Sequence, residues 1–269
     1  MKYSRCTAYL FVILLLSNSN SFTQKKDPFE LTLTKETVLI TSGAAAGITA
    51  LSILLNMEQL KIDEINSLNP IDVNEFDRSA IGPLKDDHLG DALLFSSYLM
   101  PLSFLANDDA RKNFGNLVIM YGEVLLINAS INGIVKGITK RVRPFAYDKQ
   151  SPLDEKATVN AKLSFYSGHV SISAANSFFT ASVLNEYLDN NTTKTLIWTV
   201  AFLYPAVVGY SRINSHQHFP TDVIVGYIVG AAIGYLIPLI HKRYNDINTN
   251  SDIPAGYLHK PIIGFKINL

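Results

Sequence analysis

Ser211-Arg212-Ile213-Asn214-Ser215-His216-Gln217-His218-Phe219-Pro220-Thr221-Asp222 lies between two apolar runs, Thr195–Tyr210 before it and Asp222–Ile240 after it. It places one permanent cation, two imidazoles and a carboxylate at the junction of two apolar helices. Asp222 follows His218 by four residues, so on a helical path the two face the same side. A carboxylate that accepts the proton of one imidazole nitrogen leaves the other nitrogen free for attack. Alone, a His-x-x-x-Asp in a polar turn reads as an ordinary loop. Its weight comes from the rest of the chain.

Working outward, the apolar runs recur. Thr37–Met57 is uncharged and long enough to cross a bilayer, and its Gly, Ala, Thr and Ser content also suits close packing inside a bundle. Ala92–Asn107, Phe114–Val135 and Gly168–Leu184 follow, with Glu123, Asn128 and Asn132 interrupting the second of them. Strand-like alternation is missing before the tail, where Pro261–Leu269 reads as extended. The expected fold class is all-α, a helical bundle integral to a membrane, with about five or six transmembrane helices.

Composition agrees. The chain has 269 residues, formal net charge +0, 17% charged and 48% hydrophobic residues. A charged share that low points away from an ordinary soluble enzyme, and the lack of basic excess argues against nucleic acid as a partner. The head, residues 1–23, reads as a signal peptide or N-terminal anchor: Lys2 and Arg5, then apolar Ala8–Leu16, then small polar Ser17–Thr23. The single cysteine, Cys6, falls inside it, so without that head the chain has neither disulfide nor thiolate metal site. The remainder divides into 24–90, an apolar helix and a polar loop; 91–243, a helical core; and 244–269, a tail. Within the first, Glu58–Gly90 mixes acids with Lys61, Arg78 and Lys85 and carries Asn69-Pro70 and Gly82-Pro83 turn signals, so it reads as an exposed loop with a short amphipathic helix.

Two further polar islands stand at helix ends. Lys136, Lys140 and Arg143 are spaced so that a continuous helix would place them on one face at the end of the Phe114 run. Cations there are favoured by the helix dipole in any case. Ser167-Gly168-His169 opens the Gly168 run, where unpaired backbone N–H groups attract anions and glycine lets an anion come close. Ser167 also suits a plain N-cap. Fixed cations around an anion nest call for a tetrahedral oxyanion, and arginine makes forked bonds to such oxygens. A carboxylate-oriented histidine supplies a nucleophile and a second histidine an acid. The set spells phosphoryl transfer. A metal mechanism would want several converging carboxylates, which the sequence does not display there, so no metal and no cofactor is expected.

Taken in order, Lys136-x6-Arg143-Pro144, Ser167-Gly168-His169 and Ser211-Arg212-x5-His218-x3-Asp222 resemble the three-part signature of the type 2 phosphatidic acid phosphatase superfamily, which also holds bacterial acid phosphatases and vanadium haloperoxidases. The resemblance implies catalytic roles for His218 as the nucleophile that carries a phosphohistidine, His169 as acid and then base, and Asp222 as the group that orients His218. It implies that Lys136, Arg143, Ser167, Gly168 and Arg212 bind the phosphoryl oxygens. Tyr166 stands where the family usually has proline. His216 falls outside the spacing and reads as structural or substrate-facing.

The implied function is hydrolysis of phosphate monoesters or diphosphates of membrane lipids, among them undecaprenyl diphosphate, phosphatidylglycerol phosphate, phosphatidic acid and lipid A. Alternatives are a soluble periplasmic acid phosphatase, a vanadate-dependent haloperoxidase and a non-catalytic phosphate-binding membrane protein. The partners expected are a lipid phosphate and membrane lipids, with neither a protein partner nor nucleic acid. The expected place is a bacterial inner membrane with the site facing the periplasm. Basic Arg111-Lys112 and His241-Lys242-Arg243 then lie inside. This arrangement carries a conflict: if the head is cleaved, Thr37–Met57 would have to begin and end on the same side. Either the signal is not used or that run does not span.

Overall fold

The computed structural model describes residues 27–243. The head at 1–23 and the tail at 244–269, with its extended reading at Pro261–Leu269, lie outside the described residues. Ten α-helices follow in order: α1 Leu33–Leu55, α2 Ile62–Ser67, α3 Glu75–Arg78, α4 His88–Ser97, α5 Asp108–Lys112, α6 Phe114–Thr139, α7 Leu153–Lys156, α8 Gly168–Tyr187, α9 Asn191–Asn214 and α10 Pro220–His241. Short 3-10 turns join several of them. Among the described residues no strand forms; Phe29 and Lys242 make one isolated antiparallel bridge. The all-α bundle is as expected.

α8 is the helix the others surround. Nearly all of its residues are buried, including Ser171, Ser173, Asn176, Ser177 and Thr180. Their polar groups are satisfied inside the bundle: Ser171 Oγ donates to Asn128 Oδ1 at 2.6 Å, and Asn176 Nδ2 to Ser97 Oγ at 2.9 Å. Large apolar side chains instead cover the outside, among them Phe202, Leu203, Ile224 and Ile228. Polar residues inside and apolar ones outside suit a hydrocarbon solvent. Among the described residues, five segments are long and apolar enough to cross a membrane: Leu33–Leu55, His88–Ala106, Phe114–Tyr147, Asn191–Asn214 and Pro220–His241.

α8 and α10 meet backbone to backbone. Gly226, Gly230 and Gly234 recur every four residues on one face of α10. A Cβ on Gly230 would stand 2.0 Å from Ser171 O, and one on Gly234 would stand 2.3 Å from Ala175 O. Only hydrogen fits there, as in other small-xxx-small helix pairs. The seam binds the start of α8 to the start of α10, which is where two of the polar islands sit.

α1 packs along α6 and runs parallel to it. Gly43 faces Leu126, Gly47 faces Ser130, and Gly133 and Gly137 face Ala50 and Ile53. It therefore enters at the end where α6 begins and leaves at the end where α6 stops. The chain ahead of α1 is pinned at that first end, where Glu30 N–H donates to His241 O at 2.7 Å and Arg243 N–H to Pro28 O at 2.8 Å. Thus the Thr37–Met57 run traverses the bundle from one end to the other. Of the two ways out of the sequence conflict, this geometry favours the spanning one.

Two local readings are corrected. Lys140 and Arg143 do not continue the α6 face: the helix stops at Thr139, and Lys140 caps it in the left-handed region at φ 47°. Nor is Glu58–Gly90 simply an exposed loop. Asp77, Asp87, Leu60, Val73 and Ala80 are buried. The charge that makes the stretch look water-like is used against the core, as the site shows.

Candidate active site

Each predicted residue sits at a helix end on the same face of the bundle. Lys136 occupies the last turn of α6, and its Nζ donates to Leu163 O at 2.6 Å. Arg143 stands just ahead of the Pro144–Tyr147 turn. Its Nε donates to Asn160 O at 3.0 Å and its Nη2 to Asn160 Oδ1 at 2.9 Å. Arg212 ends α9, and its Nη1 donates to Asp87 Oδ2 at 2.9 Å and to Asp91 Oδ1 at 3.4 Å. Both guanidinium groups are nearly fully buried, so neither position is set by chance contact with solvent.

Ser167 and Gly168 open α8. Ser167 N–H donates to Asp222 O at 3.0 Å, tying this turn to the start of α10. The Ser167 hydroxyl makes no capping bond and is buried with no hydrogen-bond partner. Arg212 Nε and His218 Nδ1 are likewise buried without partners. Three polar atoms from three of the predicted residues thus remain available, two donors among them; among the described residues the other buried side-chain atoms without a hydrogen bond lie on Glu123, Tyr166, Ser182 and Arg243. That is the signature of a site that expects an anionic ligand.

His218 follows the end of α9 and is 1% exposed. Burial first, then the charges of Arg143, Lys136 and Arg212 with His169, push its imidazole well below the usual histidine range. A neutral imidazole keeps the lone pair that attack requires.

Asp222 Oδ2 lies 3.6 Å from His218 Nδ1, ion-pair range rather than a hydrogen bond. The carboxylate is held instead by Ser164 Oγ at 2.5 Å, the Phe219 N–H at 2.9 Å and Arg141 Nη1 at 2.6 Å. His169 Nε2 faces Asp91 Oδ1 at 2.9 Å. His216 turns away: its Nδ1 reaches Ala80 O at 2.8 Å, and its ring fills the space beside Gly82. Its structural reading stands.

Several residues of the site were not singled out from sequence. Arg141 joins Asp222 to Asp77, with Nη2 at 2.7 Å from Asp77 Oδ2, and its guanidinium lies over the Phe219 ring at 4.3 Å. Asp87 orients Arg212, and Asp91 orients both Arg212 and His169. Gln217 Oε1 accepts from Arg143 Nη1 at 3.2 Å and also from Arg212 Nη2, so one amide oxygen bridges the two guanidinium groups. Arg141 and Gln217 lie inside the gaps of the motifs quoted above, which was the available signal. Asp77, Asp87 and Asp91 had none beyond being acids in a chain with buried cations.

The arrangement can hold a tetrahedral oxyanion between Lys136, two guanidinium groups and a helix start, with a neutral imidazole beside it and a second imidazole paired to a carboxylate.

The chain is similar to several known proteins. A sequence model described as the PAP2 superfamily matches residues 117–246. The chain is 38% identical over 156 residues to Phospholipid phosphatase 2 of Mus musculus, covering 47% of this chain and 56% of that protein. It is 31% identical over 117 residues to "Probable diacylglycerol pyrophosphate phosphatase 1" of Schizosaccharomyces pombe, covering 39% of this chain and 42% of that protein. The chain thus spans about half the length of these relatives. Among solved structures it is similar to a transmembrane PAP2-type phosphatidylglycerolphosphate phosphatase from Bacillus subtilis, at 20% identity and a TM-score of 0.42 over 88% of this chain and 96% of that one.

Proposed function

We propose, on the premise that residues 117–246 are a PAP2-superfamily segment, that this chain is a membrane phosphatase hydrolysing phosphate monoesters or diphosphates of lipids through a phosphohistidine on His218. The single observation that carries the reading is the fully buried His218 imidazole facing Asp222, its charged form disfavoured by burial and by Arg143, Lys136 and Arg212. Names of the relatives add the lipid: one is a phospholipid phosphatase and another a diacylglycerol pyrophosphate phosphatase.

In this mechanism Lys136, Arg143, Arg212, the Ser167 hydroxyl and the Gly168 N–H hold the phosphoryl oxygens and stabilise the charge of the transition state. The His218 lone pair forms a bond to phosphorus while the bond to the leaving oxygen breaks. His169 gives that oxygen its proton. His169 then takes a proton from water, whose oxygen displaces the histidine and releases phosphate. Asp222 faces the charged imidazole that forms between the two steps.

Arg111-Lys112 and Lys242-Arg243 lie at the end opposite the site, which supports a reading with the site on the outer face. In a bacterial inner membrane that face is the periplasm.

The test is a panel of lipid phosphates and diphosphates with protein purified in detergent, alongside His218→Ala. Wild-type protein should release phosphate and, quenched during turnover, carry acid-labile radiolabelled phosphate. The variant should do neither while keeping its helical content. Normal turnover by His218→Ala would overturn the nucleophile assignment.

A further inference from the structure

A second cluster of titratable side chains lies at the other end of the bundle, outside the phosphate pocket. Glu36 on α1, Glu123 on α6 and His241 at the end of α10 each turn a ligand atom inward, and these atoms all lie within 4.8 Å of one another. His241 Nε2 stands 3.0 Å from Glu36 Oε1 and 3.3 Å from Glu123 Oε2. Thirteen residues of α6 separate Glu123 from Lys136, about 20 Å of helix, so the two groups do not share a ligand.

His241 is fully buried, and its Nδ1 lies 2.8 Å from Ile237 O. A carbonyl accepts only, so Nδ1 carries its proton and donates. In a neutral ring the lone pair of Nε2 then points at two carboxylates. Glu36 is fixed in the same way, its Oε2 accepting from the Thr32 N–H at 2.8 Å while Oε1 faces the histidine. Glu123 is 2% exposed, and neither of its carboxylate oxygens accepts a hydrogen bond. A buried carboxylate, a partly buried one and a lone pair converging on one point repel one another unless something positive lies between them. The nearby cations face elsewhere: Lys242 Nζ pairs with Glu186 at 2.9 Å, Arg243 Nε with Glu30 at 3.7 Å, and Lys35 Nζ donates to Glu30 O at 3.2 Å.

We propose that Glu36, Glu123 and His241 bind a divalent metal ion of the zinc class, clasping α1, α6 and α10 together at the end of the bundle away from the phosphate pocket. One divalent ion balances two carboxylates and a neutral imidazole. Ligand atoms about 2.0–2.2 Å from a tetrahedral ion lie about 3.3–3.6 Å apart, and the 3.0 Å and 3.3 Å from Nε2 need only a small opening to reach that. The ring N–H given to a backbone carbonyl is the outer-shell bond that metal-bound histidines make. Three protein ligands leave a fourth position for water. The absence of a metal, expected from sequence at the phosphate pocket, does not extend to this cluster. Sequence spacing gave no hint of it, because the three ligands come from helices that meet only in the fold.

The full chain, purified in detergent with any affinity tag removed, is loaded with Zn2+, dialysed and assayed for metal, then stripped and titrated with Co2+. The expected result is one tightly held zinc ion per chain, tetrahedral cobalt absorption bands, and a melting temperature that falls on stripping and returns with Zn2+. Glu123→Gln keeps the shape but removes a ligand charge, and should weaken binding at least about tenfold and abolish the thermal response. His169→Ala should keep the metal, which separates this cluster from the phosphate pocket. Substoichiometric zinc in the wild type would overturn the proposal and leave a cluster held by protons alone. Undiminished zinc in Glu123→Gln, or its loss in His169→Ala, would overturn it as well.

Discussion

Arg141 Nη1 stands 2.6 Å from Asp222 Oδ1 while its Nη2 stands 2.7 Å from Asp77 Oδ2. One guanidinium thus joins the start of α10 to a segment almost a hundred and fifty residues earlier, and Thr221 closes the triangle by donating its N–H to Asp77 Oδ1 at 3.0 Å. Both carboxylates are fully buried. Arg141→Ala would leave two buried charges short of a partner, a loss of about 3–5 kcal/mol. We expect a lower melting temperature together with a fall in phosphatase rate, because Asp222 faces His218. Equal stability of the variant in thermal unfolding would show that the pair contributes little.

Asp77 also gives the site a pH dependence. Burial alone raises its carboxyl, but hydrogen bonds from Thr221, Arg141 and Asn74 outweigh burial and hold the pKa below the ordinary value. A carboxyl depressed on folding stabilises fully above its unfolded pKa, about 3.9, and loses that contribution as pH falls through its folded value. The stability advantage of wild type over Asp77→Asn should therefore be constant at neutral pH and shrink in acid below about pH 4. Chemical denaturation of both proteins across that range measures it. An advantage that grows in acid would contradict the assigned hydrogen bonds.

Arg143→Lys keeps the charge but loses the fork. Arg143 uses Nε and Nη2 together on Asn160, and Nη1 on Gln217. An ammonium cannot hold those directions. We expect the rate to fall roughly a hundredfold, the scale for removing one directed transition-state donor, with the protein still folded. Near wild-type kcat/KM would mean that charge alone suffices at this position.

Asp91→Asn tests the orientation of His169. The carboxylate lies 2.9 Å from His169 Nε2 and 3.4 Å from Arg212 Nη1. Its side chain is half exposed, so folding should be little affected. The expected outcome is a lower kcat with a shifted pH profile, since His169, the proposed acid for the leaving oxygen, loses its partner. An unchanged pH profile would remove Asp91 from the proton path.

Gly230→Ala should separate α8 from α10, because a Cβ there meets Ser171 O at 2.0 Å. Overpacking of this kind costs about 1–3 kcal/mol. Gly122→Ala is the matched control, since a Cβ there meets nothing within 4 Å. Thermal stability of the pair in the same detergent separates a packing effect from a general intolerance of substitution.

These residues also show what the chain disclosed before folding. His218, Asp222, Ser167, Gly168 and His169 were legible because each lies within a few residues of another member of its group, and helix geometry then fixes their relation. The apolar runs were legible because bilayer thickness sets their length. Lys140 was misplaced because helical spacing was carried past Thr139, where the backbone turns left-handed. Asp77 and Asp87 were missed for a different reason. Charge in Glu58–Gly90 signals water when read locally, and only the approach of Arg141 and Arg212 makes it an interior feature. Long-range pairing of buried ions leaves no periodic trace in a sequence.

The glycine seam between α8 and α10 has one more consequence. It fixes the span between the proposed anion nest at Ser167-Gly168 and His218, the proposed nucleophile ahead of α10, by main chain against main chain, with no side chain to repack. Reaction geometry is thereby decoupled from substrate choice. In the segment 58–90 and the turns around Asp148–Lys162, Asp77, Asp87 and Asn160 hold Arg141, Arg212 and Arg143, so a different head group would have to be admitted by the residues around these three anchors. A designer seeking a new specificity would redraw those loops around their three anchors and leave the seam alone.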